Sequence, residues 1–263
     1  MKKPLPTSSD DFEHVISSNS YYVDKTYFVE ELLQAGTQVT LITRPRRFGK
    51  TLNMSMLEHF FSLQNAEQNR LLFKDLYISK TSYFETHQGK FPVIFMSLKA
   101  LEGANIEQFT HKTKALIARI FRKHEEILPS LNQAETKQFN FYLNPENNAD
   151  LGKYAESISF LCEMLFKAYN PKAVVLIDEY DSPMLNAWAE EQESGATEFF
   201  KDCMMFMRGM LSNALKTNPY LERAVLTGIM RVSKENIFSG LNNVEVFSIT
   251  KKTFSNCLGF TKG

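Results

Sequence analysis

The sequence has little that would mark a secreted or membrane-bound protein. Its polar start, MKKPLPTSSDDF, lacks the apolar stretch of a signal peptide, and no apolar run approaches the ~20 residues that span a bilayer. It has three cysteines without paired or metal-ligand spacing, which favours a reducing cytosol where each thiol is a small core residue. We therefore expect a cytoplasmic protein with no membrane contact. The cysteines are Cys162, Cys203 and Cys257.

The formal charges of the sequence balance to zero, and the common hydrolase motifs are absent as well. The chain of 263 residues has 30 Lys and Arg residues against 30 Asp and Glu residues. Without a bulk basic field, binding to nucleic acid or to an anionic membrane would have to come from a local patch. The five histidines show no H-E-x-x-H spacing, and the sequence contains no G-x-S-x-G elbow. The histidines are most simply surface or helix residues.

Five short apolar runs predict buried strands, and segments with helical period lie between them. The run from Val174 to Ile177 does not alternate, which suits a strand covered on both faces, as in a parallel sheet. Alternating strands and helices imply right-handed crossovers and a three-layer α/β fold, in a single domain over 1–263. The polar stretch 128–150 is expected to be an irregular loop or small insertion. The predicted strands are 38–43, 91–98, 173–180, 223–230 and 244–249, and the predicted helices are 51–63, 106–128, 151–169 and 196–215.

The loop RPRRFGKT, residues 44–51, joins the first predicted strand to a predicted helix. It matches the phosphate-loop motif G-x-x-x-x-G-K-[ST] except that Arg44 takes the place of the first glycine. In such a loop the backbone N–H groups surround phosphates at the positive end of a helix. Gly49 permits a close backbone approach, and we expect Lys50 to reach the β- and γ-phosphates of ATP and Thr51 to bind Mg²⁺.

The arginines of this loop leave its function open. Arg44 fits without strain if its φ is negative and costs about 1 kcal/mol if its φ is positive. Pro45 constrains Arg44 toward an extended backbone. Arg46 and Arg47 add positive charge that could meet a polyphosphate or a nucleic-acid backbone. The alternative is a basic surface turn before a helix, with Thr51 as a capping residue.

Adjacent acids follow the most apolar strand. Asp178 and Glu179 lie at the carboxyl end of the predicted strand, where α/β sheets bind ligands. We expect Asp178 to hold Mg²⁺ opposite Thr51, and Glu179 to polarise the water that attacks the γ-phosphate. A solvated strand end is the alternative. Asp181 is either a further Mg²⁺ or water partner or a cap before the next helix.

The following strand supplies two more candidates. Thr227 sits where many ATPases with a phosphate loop place a residue that senses the γ-phosphate. Arg231 could be an internal arginine finger or could form a surface salt bridge. The predicted site thus has three groups of residues. They are catalytic Lys50, Glu179 and Arg231; nucleotide-binding Arg46, Arg47, Phe48, Gly49, Lys50, Thr51, Leu52 and Thr227; and metal-binding Thr51 and Asp178.

Four stretches together resemble the AAA-ATPase-like family of bacterial and archaeal proteins. They are DFEHVISSNSYYVDKTYFVEELL, LITRPRRFGKTLNMSMLEHFF, VVLIDEYDSP and LTGIMRVSKENIFSGLNN. The resemblance runs from about Asp11 to Phe260, and the arginine-proline start of the loop and the DEYD strand are shared features. It implies that Arg44 is a family trait rather than a decayed glycine.

The resemblance also implies a fold and partners. It implies a P-loop NTPase with an extra strand between the two Walker elements, sheet order 5-1-4-3-2, and ATP with Mg²⁺ as ligands. Gly49, Lys50 and Thr51 then form Walker A, and Asp178 and Glu179 form Walker B. Residues 1–36 form a family-specific N-terminal block, in which we expect Asp24 and Lys25 to pack beneath the nucleotide. Members often continue into a PD-(D/E)XK nuclease-like domain, for which this sequence supplies no site, so we expect either a truncated member or an ATPase half that works with a separate nuclease-like partner.

Three functional hypotheses follow. The first is an ATPase whose cycle drives a conformational change, in a nucleic-acid or defence context. The second is a switch or interaction module that binds ATP but hardly hydrolyses it. The third is a nucleic-acid-binding domain that places Arg44, Arg46 and Arg47 on backbone phosphates.

Overall fold

A five-stranded parallel sheet organises the chain. The computed structural model describes residues 10–230 and 243–259, and within them the strand order is β2-β3-β4-β1-β5, with every neighbouring pair parallel. This is the predicted order 5-1-4-3-2 counted from the opposite edge, so the prediction is confirmed. The strands are β1 (Val39–Thr43), β2 (Val93–Ser97), β3 (Ala173–Asp178), β4 (Leu221–Gly228) and β5 (Val244–Phe247).

Helices cover both faces of this sheet. Along β3, Val174 and Leu176 pack into one apolar cluster, whereas Val175 and Ile177 pack into the other. Successive side chains of a strand point to opposite faces, so a strand buried on both sides must be apolar throughout. The α/β fold of three layers is therefore confirmed. Within the described residues the α-helices are α1 (Phe12–Ser17), α2 (Tyr27–Gln34), α3 (Lys50–Phe61), α4 (Ala66–Leu72), α5 (Ser82–His87), α6 (Ile106–Arg122), α7 (Gln133–Leu143), α8 (Ser157–Tyr169), α9 (Ser182–Ser194) and α10 (Thr197–Leu215).

The stretch 128–150, expected to be an irregular loop or a small insertion, contains helix α7. Asn132 and Glu135 form a reciprocal capping box at the start of the helix, which satisfies two main-chain donors. Phe139 and Tyr142 are buried, and their ring centroids lie 4.9 and 4.8 Å from that of Phe121. The expectation of an irregular loop was wrong here, because a helix that buries only a narrow apolar stripe remains polar in overall composition.

Several element boundaries also differ from the predictions. Strand β3 ends at Asp178 and not at residue 180, because Glu179 has a left-handed backbone with φ of 53°. The predicted helices 106–128 and 151–169 are each divided between an α-helix and a short 3₁₀ turn. These turns are Glu125–Ser130 and Leu151–Glu156. No helix in the described parts of the chain is long and apolar enough to cross a membrane.

Candidate functional site

The loop 44–51 leaves the carboxyl end of β1 and leads directly into α3. Gly49 caps the amino end of α3 with φ of 72°, and Arg47 also has a positive φ, 66°. A left-handed backbone costs a residue other than glycine about 1 kcal/mol, so the turn at Arg47 carries local strain. The first turn of α3 therefore presents main-chain N–H groups at the carboxyl edge of the sheet, as the loop motif predicts.

Lys50 lies inside this loop. Its side chain is buried, and its ammonium donates hydrogen bonds to the carbonyl oxygens of Arg44 and Pro45, both at 3.0 Å. Burial lowers the pKa of Lys50, while the carboxylates of three nearby acids act to raise it. The Lys50 ammonium is thus held inside the loop, close to the acidic residues at the end of β3. The three acids are Asp178, Glu179 and Asp181.

Two hydroxyl groups converge on one buried carboxylate. The Thr51 hydroxyl donates to Oδ2 of Asp178 at 2.7 Å, and the Thr227 hydroxyl donates to Oδ1 of Asp178. Asp178 is 1% exposed and ends β3, which lies beside β4 and its residue Thr227 in the sheet. The structure therefore brings together three residues that lie far apart in the sequence. Carboxylate and hydroxyl oxygens are ligands that suit Mg²⁺.

The two other acids of the DEYD sequence have different environments. Glu179 is half-buried, and its Oε2 accepts a hydrogen bond from the Ser182 hydroxyl at 3.2 Å. Asp181 is buried, and its Oδ2 accepts from the main-chain N–H groups of Ile229 and Met230 at 2.8 and 3.0 Å. Asp181 thus ties the segment after β4 to the start of α9. In the described parts of the chain, no group of three or more His, Cys, Asp and Glu side chains could hold a metal ion.

Arg44 is buried inside the fold, which leaves its side chain no surface for the contact with nucleic-acid phosphates that the third hypothesis assigns to it. It is 2% exposed, and its guanidinium donates to the carbonyl oxygens of Thr43 and Phe247 at 2.9 Å and of Phe254 at 3.0 Å. Burial lowers the pKa of this guanidinium from its ordinary value. The side chain thus links the loop to β5 and to the segment that follows β5. Arg46 and Arg47 are exposed, and their predicted roles stay predictions.

Substitution of Arg44 is expected to destabilise the protein. Arg44→Met keeps most of the aliphatic volume but leaves buried carbonyl oxygens without donors, so we expect the free energy of unfolding to fall by about 3 kcal/mol. Urea unfolding followed by circular dichroism measures this change. The matched control is the exposed Arg46→Met, for which we expect a change within about 0.5 kcal/mol. Equal effects of the two substitutions would contradict the structural role of Arg44.

The N-terminal block makes contacts that the sequence did not predict. Asp24 accepts hydrogen bonds from the main-chain N–H of Thr26 at 2.9 Å and of Tyr77 at 2.6 Å. The Lys25 ammonium donates to the carbonyl oxygen of Asn256 at 2.7 Å. Asp24 therefore links the block to the turn before α5, and Lys25 links it to the segment after β5. The resemblance pointed to these residues, but a sequence motif does not state what its residues contact.

Phe48 and Leu52, two further predicted nucleotide-binding residues, are both half-buried. Phe48 is half-buried, and its carbonyl oxygen accepts from the N–H of Gly259 at 2.9 Å. Leu52 is half-buried on α3 and packs against the apolar cluster on that face of the sheet. Sequence reasoning missed Gly228, where a Cβ would lie 2.6 Å from the Tyr180 ring, so that only glycine fits beside the site. Arg231 lies outside the described residues.

The sheet and its strand–loop–helix site define a three-layer α/β protein with a Gly-Lys-Thr loop at the carboxyl edge. The chain belongs to the family described as "Predicted AAA-ATPase", whose model matches residues 6–238, which confirms the family expected from the sequence. It is 28% identical, over 263 aligned residues, to an "Uncharacterized protein in vnfD 5'region" of Azotobacter chroococcum mcd 1. That alignment covers 99% of this chain and 44% of the relative's length. No solved structure matches the chain.

Proposed function

We propose that this protein is a Mg²⁺-dependent ATPase. The observation that carries the proposal is the cluster in which the hydroxyls of Thr51 and Thr227 bind the Asp178 carboxylate, beside the buried ammonium of Lys50. The family description, a predicted ATPase, supports it. The cluster combines a cation for phosphate oxygens with oxygen ligands for a divalent metal, which is the set of groups that phosphoryl transfer requires.

In this proposal the loop binds the phosphates of ATP. The N–H groups at the start of α3, which has 12 residues, supply donors and a positive helix end. Lys50 exchanges its two carbonyl partners for phosphate oxygens, which is favourable because an ammonium binds an anion more strongly than neutral carbonyls. The exposed guanidinium groups of Arg46 and Arg47 add positive charge at the same surface.

Thr51 and Asp178 are the residues that would hold Mg²⁺. The fit is good, because Mg²⁺ sites of this kind use one or two protein oxygens together with phosphates of the substrate. The ion would neutralise negative charge that develops on the β- and γ-phosphates. Thr227 keeps Asp178 oriented through its hydrogen bond to the second carboxylate oxygen.

Glu179 is the proposed general base. Its carboxylate accepts a proton from water as the water oxygen bonds to the γ-phosphorus and the bond to the β–γ bridging oxygen breaks, which leaves ADP and phosphate. The Ser182 hydroxyl orients this carboxylate. Arg231 is proposed as an arginine finger. We further propose a cytoplasmic protein whose cycle drives a conformational change acting on nucleic acid or on a nuclease-like partner, through the exposed arginines of the loop.

The proposal is tested by the Mg²⁺ dependence of ATP hydrolysis in the wild type and in Asp178→Asn. Asparagine has nearly the same shape but no charge, and because it keeps only one acceptor oxygen, one of the two threonine hydroxyls loses its acceptor. We expect hydrolysis to fall at least about 100-fold in the variant, and to be abolished in the wild type by EDTA. The control Asp150→Asn changes an exposed capping carboxylate and is expected to leave the rate unchanged. Absence of ATP binding, or hydrolysis indifferent to EDTA, would refute the proposal.

A further inference from the structure

An apolar cavity adjoins the loop on the side of the N-terminal block. Its volume is about 270 Å³, and Arg47, Phe48 and Gly49 of the loop form part of its wall. The rest of the wall is mainly aromatic and aliphatic, with Tyr21, Tyr22, Val23 and Leu52 among its residues. The cavity therefore begins where the proposed phosphate site ends.

The size and lining of this cavity suit one aromatic ring system. Sites that enclose a whole drug-sized ligand have volumes of roughly 300–1,000 Å³, so this cavity is too small for a nucleotide with its phosphates. Its surface is mainly apolar, although Lys25, Arg47 and Asn53 also line it, so it favours a flat heterocycle over a polyphosphate. A ligand with a heterocycle in the cavity could extend its charged end directly over Gly49 and the start of α3.

We propose that this cavity binds the base of ATP, which rests on the proposed function of the loop. Tyr21 lies on the cavity wall and is 53% exposed, so its ring is available for stacking. Base–aromatic stacking is favourable for every base, because each has a π-face. Tyr22 is held in place by an edge-to-face contact with Phe12, whose ring centroid lies 5.5 Å away. The cavity thus has one fixed aromatic wall and one accessible ring.

The C-terminal part of the described chain completes the cavity. Gly259 lines it, donates its N–H to the carbonyl oxygen of Phe48, and has φ of 79°. A Cβ at Gly259 would lie 2.8 Å from Cδ1 of the Phe48 ring, so glycine allows the close contact. The bonds from Lys25 to Asn256 and from Arg44 to Phe254 hold this segment against the loop. These two bonds keep the segment that contains Gly259 beside the cavity.

The test compares dissociation constants, by isothermal titration calorimetry, for Mg²⁺-ATP and for Mg²⁺-tripolyphosphate, which has no base. We expect the wild type to bind ATP more tightly than tripolyphosphate. Tyr21→Ala should weaken ATP binding about tenfold and leave tripolyphosphate binding unchanged, because stacking is lost. Tyr21→Phe, which keeps the ring, should bind both like the wild type. Val23→Trp, which fills the cavity, should weaken ATP binding by at least tenfold without affecting tripolyphosphate.

The outcomes separate this inference from the proposed function. If ATP and tripolyphosphate bind the wild type equally, or if Tyr21→Ala and Val23→Trp weaken both ligands alike, the base site is refuted while the phosphate loop stands. If neither ligand binds the wild type, the proposed function is refuted and the base site with it. Tyr21 and Val23 lie outside helices and strands and are not fully buried, so these variants are expected to fold.

Discussion

Glu179→Gln is expected to lower the rate of ATP hydrolysis by about 100- to 10,000-fold, which is the usual contribution of a general base. Glutamine can still accept a hydrogen bond from Ser182, and it has the same length as glutamate, so the loop after β3 should keep its shape. Glutamine cannot take a proton from water. We therefore expect the variant to bind ATP about as tightly as the wild type and to retain it unhydrolysed.

The backbone at Glu179 strengthens this expectation. A residue other than glycine at φ of 53° is strained by about 1 kcal/mol, and such strain is concentrated at functional sites. Single-turnover hydrolysis and ATP affinity should be measured side by side. The control Glu190→Gln makes the same change of charge on α9, outside the site, and should hydrolyse ATP at the wild-type rate. A wild-type rate in Glu179→Gln would show that the carboxylate is not the base.

Lys50→Ala is expected to weaken ATP binding on the order of 100-fold, because it removes a buried cation from phosphate oxygens. In the free protein the same change leaves the carbonyl oxygens of Arg44 and Pro45 without their donor, so some loss of stability is expected too. Equilibrium binding of ATP, measured by calorimetry well below the unfolding temperature, separates the two effects.

A second buried lysine provides the matched control. Lys114 is 9% exposed against 7% for Lys50, and its ammonium donates to the carbonyl oxygen of Asn147 at 2.8 Å. Lys114→Ala should therefore cost comparable stability but leave ATP affinity unchanged. If ATP affinity survives Lys50→Ala, or falls equally in Lys114→Ala, the loop is not the phosphate site.

The elements of the fold could be predicted where the local pattern is strong. β3 is a continuous apolar run because it is covered on both faces, and the helix after the loop follows from its apolar stripe. The strand order came from the family resemblance, because apolar runs do not state which strand lies beside which. Helix α7 was missed, since its stability depends on a capping box and on two aromatic side chains packed against Phe121.

Part of the candidate site could likewise be predicted from the sequence, and part of it required the tertiary structure. The spacing of Gly49, Lys50 and Thr51 and the acids that follow β3 could be recognised in the sequence, because both lie within single local segments. The pairing of Thr51 and Thr227 with one carboxylate needed the sheet, in which β3 and β4 are neighbours. The role of Asp181 also needed it, because its partners are main-chain N–H groups after β4.

The sequence by itself determined the family, the parallel α/β architecture and the candidate residues for phosphate and metal, because motifs and apolar runs are local properties of a chain. Only the tertiary structure decided that the Arg44 side chain points into the core and not toward solvent. An arginine in a basic loop has the same formal charge whether it faces solvent or the core, and two of the three carbonyl groups that bind Arg44 lie 203 and 210 residues away in sequence. The cavity beside Gly49 likewise exists because segments from both ends of the chain meet at the loop.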